Sequence, residues 1–169
     1  MKVIKYNKYF QEVTEALSSN GAFLTVKAED KINTMTIGWA NIGYIWSKPV
    51  LMVAVRKSRY TYNLIEKSKD FTVSIPFIGK MADELKFCGS KSGRNFDKFN
   101  ELDLQTINGE KVNSPLIKGC DIHYECQIVY KQDMKSDELI ESYKNNHYKN
   151  GDYHTLYFGE ILNCLKDNK

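Results

Sequence analysis

The chain has 169 residues, 42% of them hydrophobic and 27% charged, with a net charge of +3 at pH 7. That length suits a single domain over residues 1–169 with a core of useful size, and the composition excludes a disordered, fibrous or membrane-embedded chain. The near balance of charge gives no reason to expect nucleic acid or an anionic membrane as partner.

In chain order, Met1–Phe10 is polar and lacks the apolar centre of a signal peptide. Tyr6–Asn20 reads as an amphipathic helix with Phe10, Val13 and Leu17 on one face, stopped at Asn20-Gly21. Ala22–Ala28 reads as a strand, and Asp30-Lys31 as a turn into a strand-like run, Asn33–Trp46, interrupted by Gly38 and Gly43. Pro49 is expected to end the turn before a buried strand at Leu51–Val55. Ser58 is placed as N-cap of a helix over Arg59–Ser68. A strand at Phe71–Ile75 and a helix at Met81–Phe87 follow, then a Gly/Ser/basic loop at Cys88–Arg94. Asn100–Ser114 is irregular, with a turn at Asn108-Gly109. Cys120–Tyr130 alternates as a strand, Ser136–Tyr143 reads as a short helix capped by Ser136, and Gly151-Asp152 turns into a last strand, Tyr153–Leu165. Many strands with a few short helices predict a mainly β fold, a closed or partly closed antiparallel barrel with helical insertions.

The four cysteines, Cys88, Cys120, Cys126 and Cys164, lack paired spacing, and His123, His147 and His154 are as dispersed, so no metal site is expected. The cysteines are read as buried thiols of a cytoplasmic chain. The 11 Tyr, 8 Phe and 2 Trp suit a large ligand pocket or an interface, and equally a β-rich core.

Four segments can carry chemistry. Asn33–Ala40 alternates hydroxyl and apolar side chains and reaches a glycine, which offers a flat ring both a wall and open main chain. The same pattern also describes an ordinary strand with a threonine face. Arg56-Lys57-Ser58-Arg59-Tyr60-Thr61 sets cations and hydroxyls at a helix start, where free N–H groups and forked donors suit phosphate. A solvated basic turn would look similar. Cys88-Gly89-Ser90-Lys91-Ser92-Gly93-Arg94, with Lys98 beyond it, is either a second phosphate-wrapping loop or a surface loop, and is not a Walker A motif. His154, in Gly151–Glu160, is either structural or a donor to an electron-rich ligand.

In this order the segments resemble the flavin reductase-like family, the FMN-binding split barrels that include the flavoredoxins. Thr-Met-Thr-Ile-Gly-Trp at 34–39, Val-Arg-Lys-Ser-Arg-Tyr-Thr at 55–61 and Phe-Cys-Gly-Ser-Lys-Ser-Gly at 87–93 carry most of the resemblance. Lys-Pro-Val at 48–50, Phe-Thr-Val-Ser-Ile-Pro at 71–76 and His-Thr-Leu-Tyr-Phe-Gly-Glu at 154–160 support it. The resemblance implies a homodimeric, Greek-key-like split β-barrel with short peripheral helices and noncovalent FMN near the subunit interface. It implies that Thr34, Met35, Thr36, Ile37, Gly38 and Trp39 lie along the flavin ring. Arg56, Ser58, Arg59, Tyr60 and Thr61 would hold the ribityl chain and phosphate. Cys88, Gly89, Ser90, Lys91, Ser92 and Lys98 would close over the phosphate side, and His154 would face the electron donor. The implied activity is electron transfer from NAD(P)H or a reduced protein through FMN to an acceptor, or, alternatively, a non-enzymatic FMN carrier serving a redox partner. No Gly-x-Gly-x-x-Gly follows a strand, so no separate Rossmann site for NAD is expected.

Overall fold

The computed structural model describes residues 1–168. In chain order the elements are β1 (Lys2–Val3), α1 (Phe10–Ser19), β2 (Ala22–Ala28), β3 (Lys31–Ile37), β4 (Ala40–Ile45), β5 (Lys48–Arg56), α2 (Tyr60–Ile65), β6 (Asp70–Ile75), α3 (Ala82–Ser90), α4 (Lys98–Glu101), β7 (Thr106–Ile107), β8 (Leu116–Ile117), β9 (Ile122–Asp133), α5 (Glu141–His147) and β10 (His154–Lys166). Eight strands form one antiparallel sheet in the order β3-β2-β6-β9-β10-β5-β4, with β1 added to β10. The two end strands, β3 and β4, are consecutive in the chain and joined only through Gly38 and Trp39. A sheet whose ends are tethered so closely must curl until they meet, yet among the described residues no ladder joins them. The result is a barrel split along one seam, the mainly β architecture expected.

At the edge of the seam the Ala54 amide donates to the Trp39 carbonyl at 3.1 Å, which carries the β4–β5 ladder one step into the Gly38-Trp39 connection. Glycine at 38 has a local cause, since a Cβ there would stand 3.0 Å from the Leu17 carbonyl oxygen. Gly43 has no such neighbour, and nothing in the structure explains it.

The main core fills the barrel with Leu24, Val26, Val53, Val55, Phe71, Val73, Tyr124 and Tyr157 among others. A second cluster, Phe23, Leu85, Cys88, Leu104, Ile117 and Cys120, lies on the other face of β2 and seats α3. Because β2 and β6 are covered on both faces, their burial is nearly continuous, although β6 still alternates apolar Phe71, Val73 and Ile75 with polar Asp70, Thr72 and Ser74. Among the described residues no helix is long and apolar enough to cross a membrane.

Several local expectations need correction. The first helix begins at Phe10, which is 47% exposed; its buried face is Val13, Ala16 and Leu17. The Asn33–Trp46 run is two strands, and the turn that follows is Trp46-Ser47, both residues in the left-handed region (φ 54° and 57°). Two left-handed residues give a turn whose twist matches the flanking strands. Pro49 lies inside β5, just before the stretch paired to β10 from Val50 on, so its missing N–H breaks no bond of that ladder. Ser58 does not cap α2: the cap position is Arg59, and no side chain caps it. The third helix runs through Ser90, so Cys88, Gly89 and Ser90 are its last turn and not a loop. The helix expected at Ser136–Tyr143 is displaced to Glu141–His147, capped by Ile140 and with no buried residue.

Candidate functional site

Three pieces of chain converge on the seam. The C-terminal turn of α3 lies tight on β3: the Thr36 hydroxyl donates to the Leu85 carbonyl at 2.5 Å, and a Cβ on Gly89 would stand 3.3 Å from the Thr36 Cβ. The loop after α3 then folds back over the start of α2. Arg94 Nη1 donates to the Ser58 carbonyl at 2.9 Å, and its guanidinium lies 5.7 Å from the Tyr60 ring centre. Gly93 is packed so closely that a Cβ would fall 2.2 Å from Asn33 Oδ1. Asn33 cannot retreat easily, because it is buried and donates to the Thr61 hydroxyl at 2.7 Å. Lys98 ties the assembly together: buried, it donates at 2.8 Å to both the Thr34 and the Cys88 carbonyls. Burial pulls its pKa below the ordinary lysine value.

Two small cavities result. One, of about 100 Å³, is lined by the 88–94 turn and loop with Asn33, Met35, Ser58, Arg59, Tyr60, Thr61 and Lys98. The other, of about 160 Å³, is lined by Met35, Thr36, Ile37, Gly38, Trp39, Ala54, Arg56, Arg59 and His154. They share Met35 and Arg59 and so adjoin. Among the described residues, Arg56, Arg59, Lys91, Arg94 and Lys98 line the pair, and no carboxylate does. A larger groove of about 640 Å³ opens on the far side of Gly93 and Arg94. Size alone would favour that groove, but its lining mixes both charge signs, whereas the smaller pair is cationic throughout.

The cations differ in how they are held. The Arg59 and Lys91 side chains have no hydrogen-bond or ion-pair partner among the described residues, although the Lys91 ammonium sits 5.4 Å above the Phe96 ring. The Ser92 and Gly93 amides also donate to nothing within the described residues. Arg56 is committed: it donates to the His147 carbonyl at 3.0 Å and to the Asp152 carbonyl at 3.2 Å, and lies 3.8 Å from the Asp152 carboxylate. Ser58 is committed too, its amide (3.1 Å) and hydroxyl (2.7 Å) both donating to the Asp152 carboxylate.

At the seam end, Trp39 lies 4.7 Å from the His154 ring and meets His147 edge-on at 5.2 Å. His154 Nδ1 pairs with the Tyr148 hydroxyl at 2.7 Å. Burial, aided by the nearby Arg56 charge, pushes the His154 pKa down to about 4, so at neutral pH the ring is uncharged. Any donation from it comes from a neutral imidazole and not from the readily charged histidine that an ordinary pKa suggests. Burial pushes the Cys88 thiol up to about 11; with 2% of its surface exposed it packs beneath α3 and has none of the features of a redox thiol.

Every residue expected at the cofactor lines one of the two cavities except Thr34, whose side chain turns inward to Thr25 at 3.0 Å and whose carbonyl holds Lys98. Asn33, Gly93, Arg94 and Asp152 fall inside the segments singled out for chemistry, but the sequence assigns none of them a role at the site. Gly93 and Arg94 close the same Gly/Ser/basic run and could have been included. Asn33 and Asp152 carry no local signal, since their roles depend on partners 28 and 94 residues away.

The donor set suits a phosphorylated, flat ligand: unpartnered cations and amides at one end, apolar side chains (Met35, Ile37, Ala54) and Trp39 at the other. Comparisons with known proteins agree. The chain is 34% identical over 152 residues to an uncharacterized protein of Archaeoglobus fulgidus, covering 87% of this chain and 75% of that one. It spans 40% to 65% of the length of three other curated relatives. It superposes on the flavoredoxin of Desulfovibrio vulgaris (Miyazaki F) with a TM-score of 0.69 at 26% identity, covering 88% of this chain and 70% of that one. An NADH:FAD oxidoreductase of Streptomyces globisporus shares the fold, with a TM-score of 0.65 at 20% identity over 99% of this chain and 88% of that one. Residues 15–169 match the family described as "Flavin reductase like domain", and the chain belongs to that family of flavin-binding redox proteins.

Proposed function

We propose that the protein is an FMN-binding oxidoreductase that passes electrons from NAD(P)H through its flavin to an acceptor. The observation that carries this reading is the pair of adjoining cavities with five cations and no carboxylate. The phosphate is assigned to Arg59, Lys91 and the Ser92 and Gly93 amides, the groups that no protein partner occupies. Met35–Trp39 is assigned to the ring. Arg56 and Ser58 act at one remove, holding Asp152 and the 147–152 segment against the seam.

When bound, the flavin supplies the hydride and single-electron chemistry. The protein's own part is position and exclusion. Trp39 and neutral His154 wall the seam, and the Tyr148 hydroxyl fixes the orientation of the imidazole. No nucleophile is required of the chain.

A homodimer is supported by the exposed aromatic face formed by Trp46 and Tyr130 (6.0 Å) with Phe158 (5.5 Å from Tyr130), to which a second copy is assigned. Four free, buried cysteines support a cytoplasmic setting. The runner-up, a flavoredoxin-like carrier fed by a reduced protein, is supported by the likeness to the D. vulgaris flavoredoxin.

A visible spectrum of the purified protein before and after NADH and NADPH tests the reading. The expected result is a flavin spectrum that bleaches with one of the two. A flavin that only a reduced protein donor bleaches under anaerobic conditions would sink the NAD(P)H step and leave the carrier. A colourless protein that takes up no added FMN would sink both.

A further inference from the structure

We propose that residues 135–150 form a strap that lifts off the seam as one unit, with Tyr148 as its anchor, and that reactants reach the flavin ring while it is raised; the second half rests on the flavin reading above. At the root of the strap the Met134 amide donates to the His154 carbonyl at 2.9 Å, one step past the end of the β9–β10 ladder. Among the described residues, no backbone hydrogen bond joins residues 135–150 to the barrel. Tyr148, 5% exposed, is the one buried residue between 135 and 150. A segment with so few buried groups and no backbone pairing opens at a cost well below that of unfolding the barrel. Its far end has a hinge: Gly151 adopts a left-handed conformation (φ 72°) with open space around it, and the next residue, Asp152, is fixed to Ser58.

The ties that hold the strap down gather at its last turn, and they end on the site. Arg56 donates to the His147 carbonyl, and its guanidinium lies 5.1 Å from the Tyr148 ring centre. The Tyr148 hydroxyl pairs with His154 Nδ1, and with Met134 Sδ at 3.2 Å. The Tyr148 ring stacks on Tyr153 at 4.6 Å, while Trp39 meets His147 at 5.2 Å and Tyr148 at 6.4 Å, both edge-on. Three of these partners, Trp39, Arg56 and His154, line the seam cavity. Raising the strap therefore uncovers the ring end of the site and leaves the phosphate end as it is. The seam cavity, about 160 Å³, is smaller than the roughly 300–1,000 Å³ of ordinary ligand sites. With the strap down it has no room for a second reactant beside a flat ring. With the strap up it gains the space that His147 and Tyr148 fill.

Amide hydrogen exchange reports on the strap directly, because α5 has seven residues and buries none of them, and so short a helix melts once it is undocked. In the full-length protein the α5 amides are expected to exchange at least about tenfold faster than those of the β9–β10 ladder. Tyr148→Ala should raise α5 exchange by about a hundredfold or to the unprotected limit, and Tyr148→Phe, which loses only the hydroxyl, by about fivefold. Slow exchange kept in β9 and β10 shows that a variant folds, and the milder one serves if the other does not. FMN association and release, followed by flavin fluorescence, should rise together in Tyr148→Ala by about tenfold, with Kd within about twofold of the parent, because a gate changes access and not affinity. Exchange in α5 as slow as in the ladder, or unmoved by both variants, would overturn the strap. Faster release with unchanged association would overturn the gate, since Tyr148 would then act only by positioning His154. A protein that binds no FMN would overturn the flavin reading and the gate with it, while the exchange rates still decide the strap.

Discussion

The two ends of the cationic site are built from the same residue types and are held in opposite ways. Around Arg56, every charged or hydroxyl group has a protein partner: Arg56 on two carbonyls, Ser58 on Asp152, His154 on Tyr148. Around Arg59 and Lys91 the cations and the loop amides face a cavity with nothing to bind. Groups that a fold has already satisfied stabilise it, and groups held in place without a partner mark where something else is bound. The distinction separates two arginines three residues apart that are indistinguishable as sequence.

The largest expected effect breaks the open end. The double change Arg59→Ala and Lys91→Ala is expected to weaken flavin binding by about a hundredfold or more, since each charge-assisted bond contributes roughly 1.5–3 kcal/mol. The unfolding free energy should stay within about 1 kcal/mol of the parent, as neither side chain has a hydrogen-bond or ion-pair partner among the described residues and Lys91 loses only an exposed contact with the Phe96 ring. Flavin titration and urea denaturation together check this, and a large loss of stability would show that the open end is structural after all.

The closed end should answer in the opposite sense. Asp152→Ala is expected to cost about 1–3 kcal/mol of stability, because it strips the Ser58 amide and hydroxyl of their acceptor and removes the anion beside Arg56. Asp152→Asn should recover part of that loss through its remaining carbonyl oxygen. Denaturant melts of the three proteins give the ranking, and an Asp152→Ala protein as stable as the parent would erase the comparison.

A smaller effect appears on acidification. His123, buried against Ser74, and His154 both have folded pKa values pushed down to about 4, first by burial. Unfolded histidine titrates near 6.5, so between about 6.5 and 4 the unfolded chain binds more protons and stability falls as the pH is lowered. Each group adds a slope of up to about 1.4 kcal/mol per pH unit, levelling off below pH 4. Melts at half-unit steps should show the slope halved in His154→Gln; an unchanged slope would mean that His154 is charged in the folded protein.

Much of the fold was legible in the sequence because most of its signals are local. The strands at Ala22–Ala28 and Phe71–Ile75 lie within a residue of the observed ones, and Gly38 marks the seam. The segments singled out for chemistry converge because a tethered sheet must bring its ends together. What could not be read depends on distant partners. Ser58 has the residue type and position of an N-cap, but Asp152 competes for it from 94 residues away and wins with two hydrogen bonds. Cys88–Ser90 has the composition of a loop, and it is helical because Leu85 and Cys88 pack into a cluster with Phe23 and Ile117. The helix near residue 140 was misplaced because it buries nothing and so carries no apolar stripe to find.

Lys98 sets a length. Its ammonium bridges the Thr34 carbonyl, one residue before the proposed ring wall, and the Cys88 carbonyl in the last turn of α3, three residues before the proposed phosphate turn begins at Lys91. The two walls are thereby gauged against a single atom, and their spacing cannot drift without stretching one of the two bonds. A ligand held across that span is measured as well as bound, and a ribityl chain longer or shorter by one carbon would seat one of its ends and miss the other.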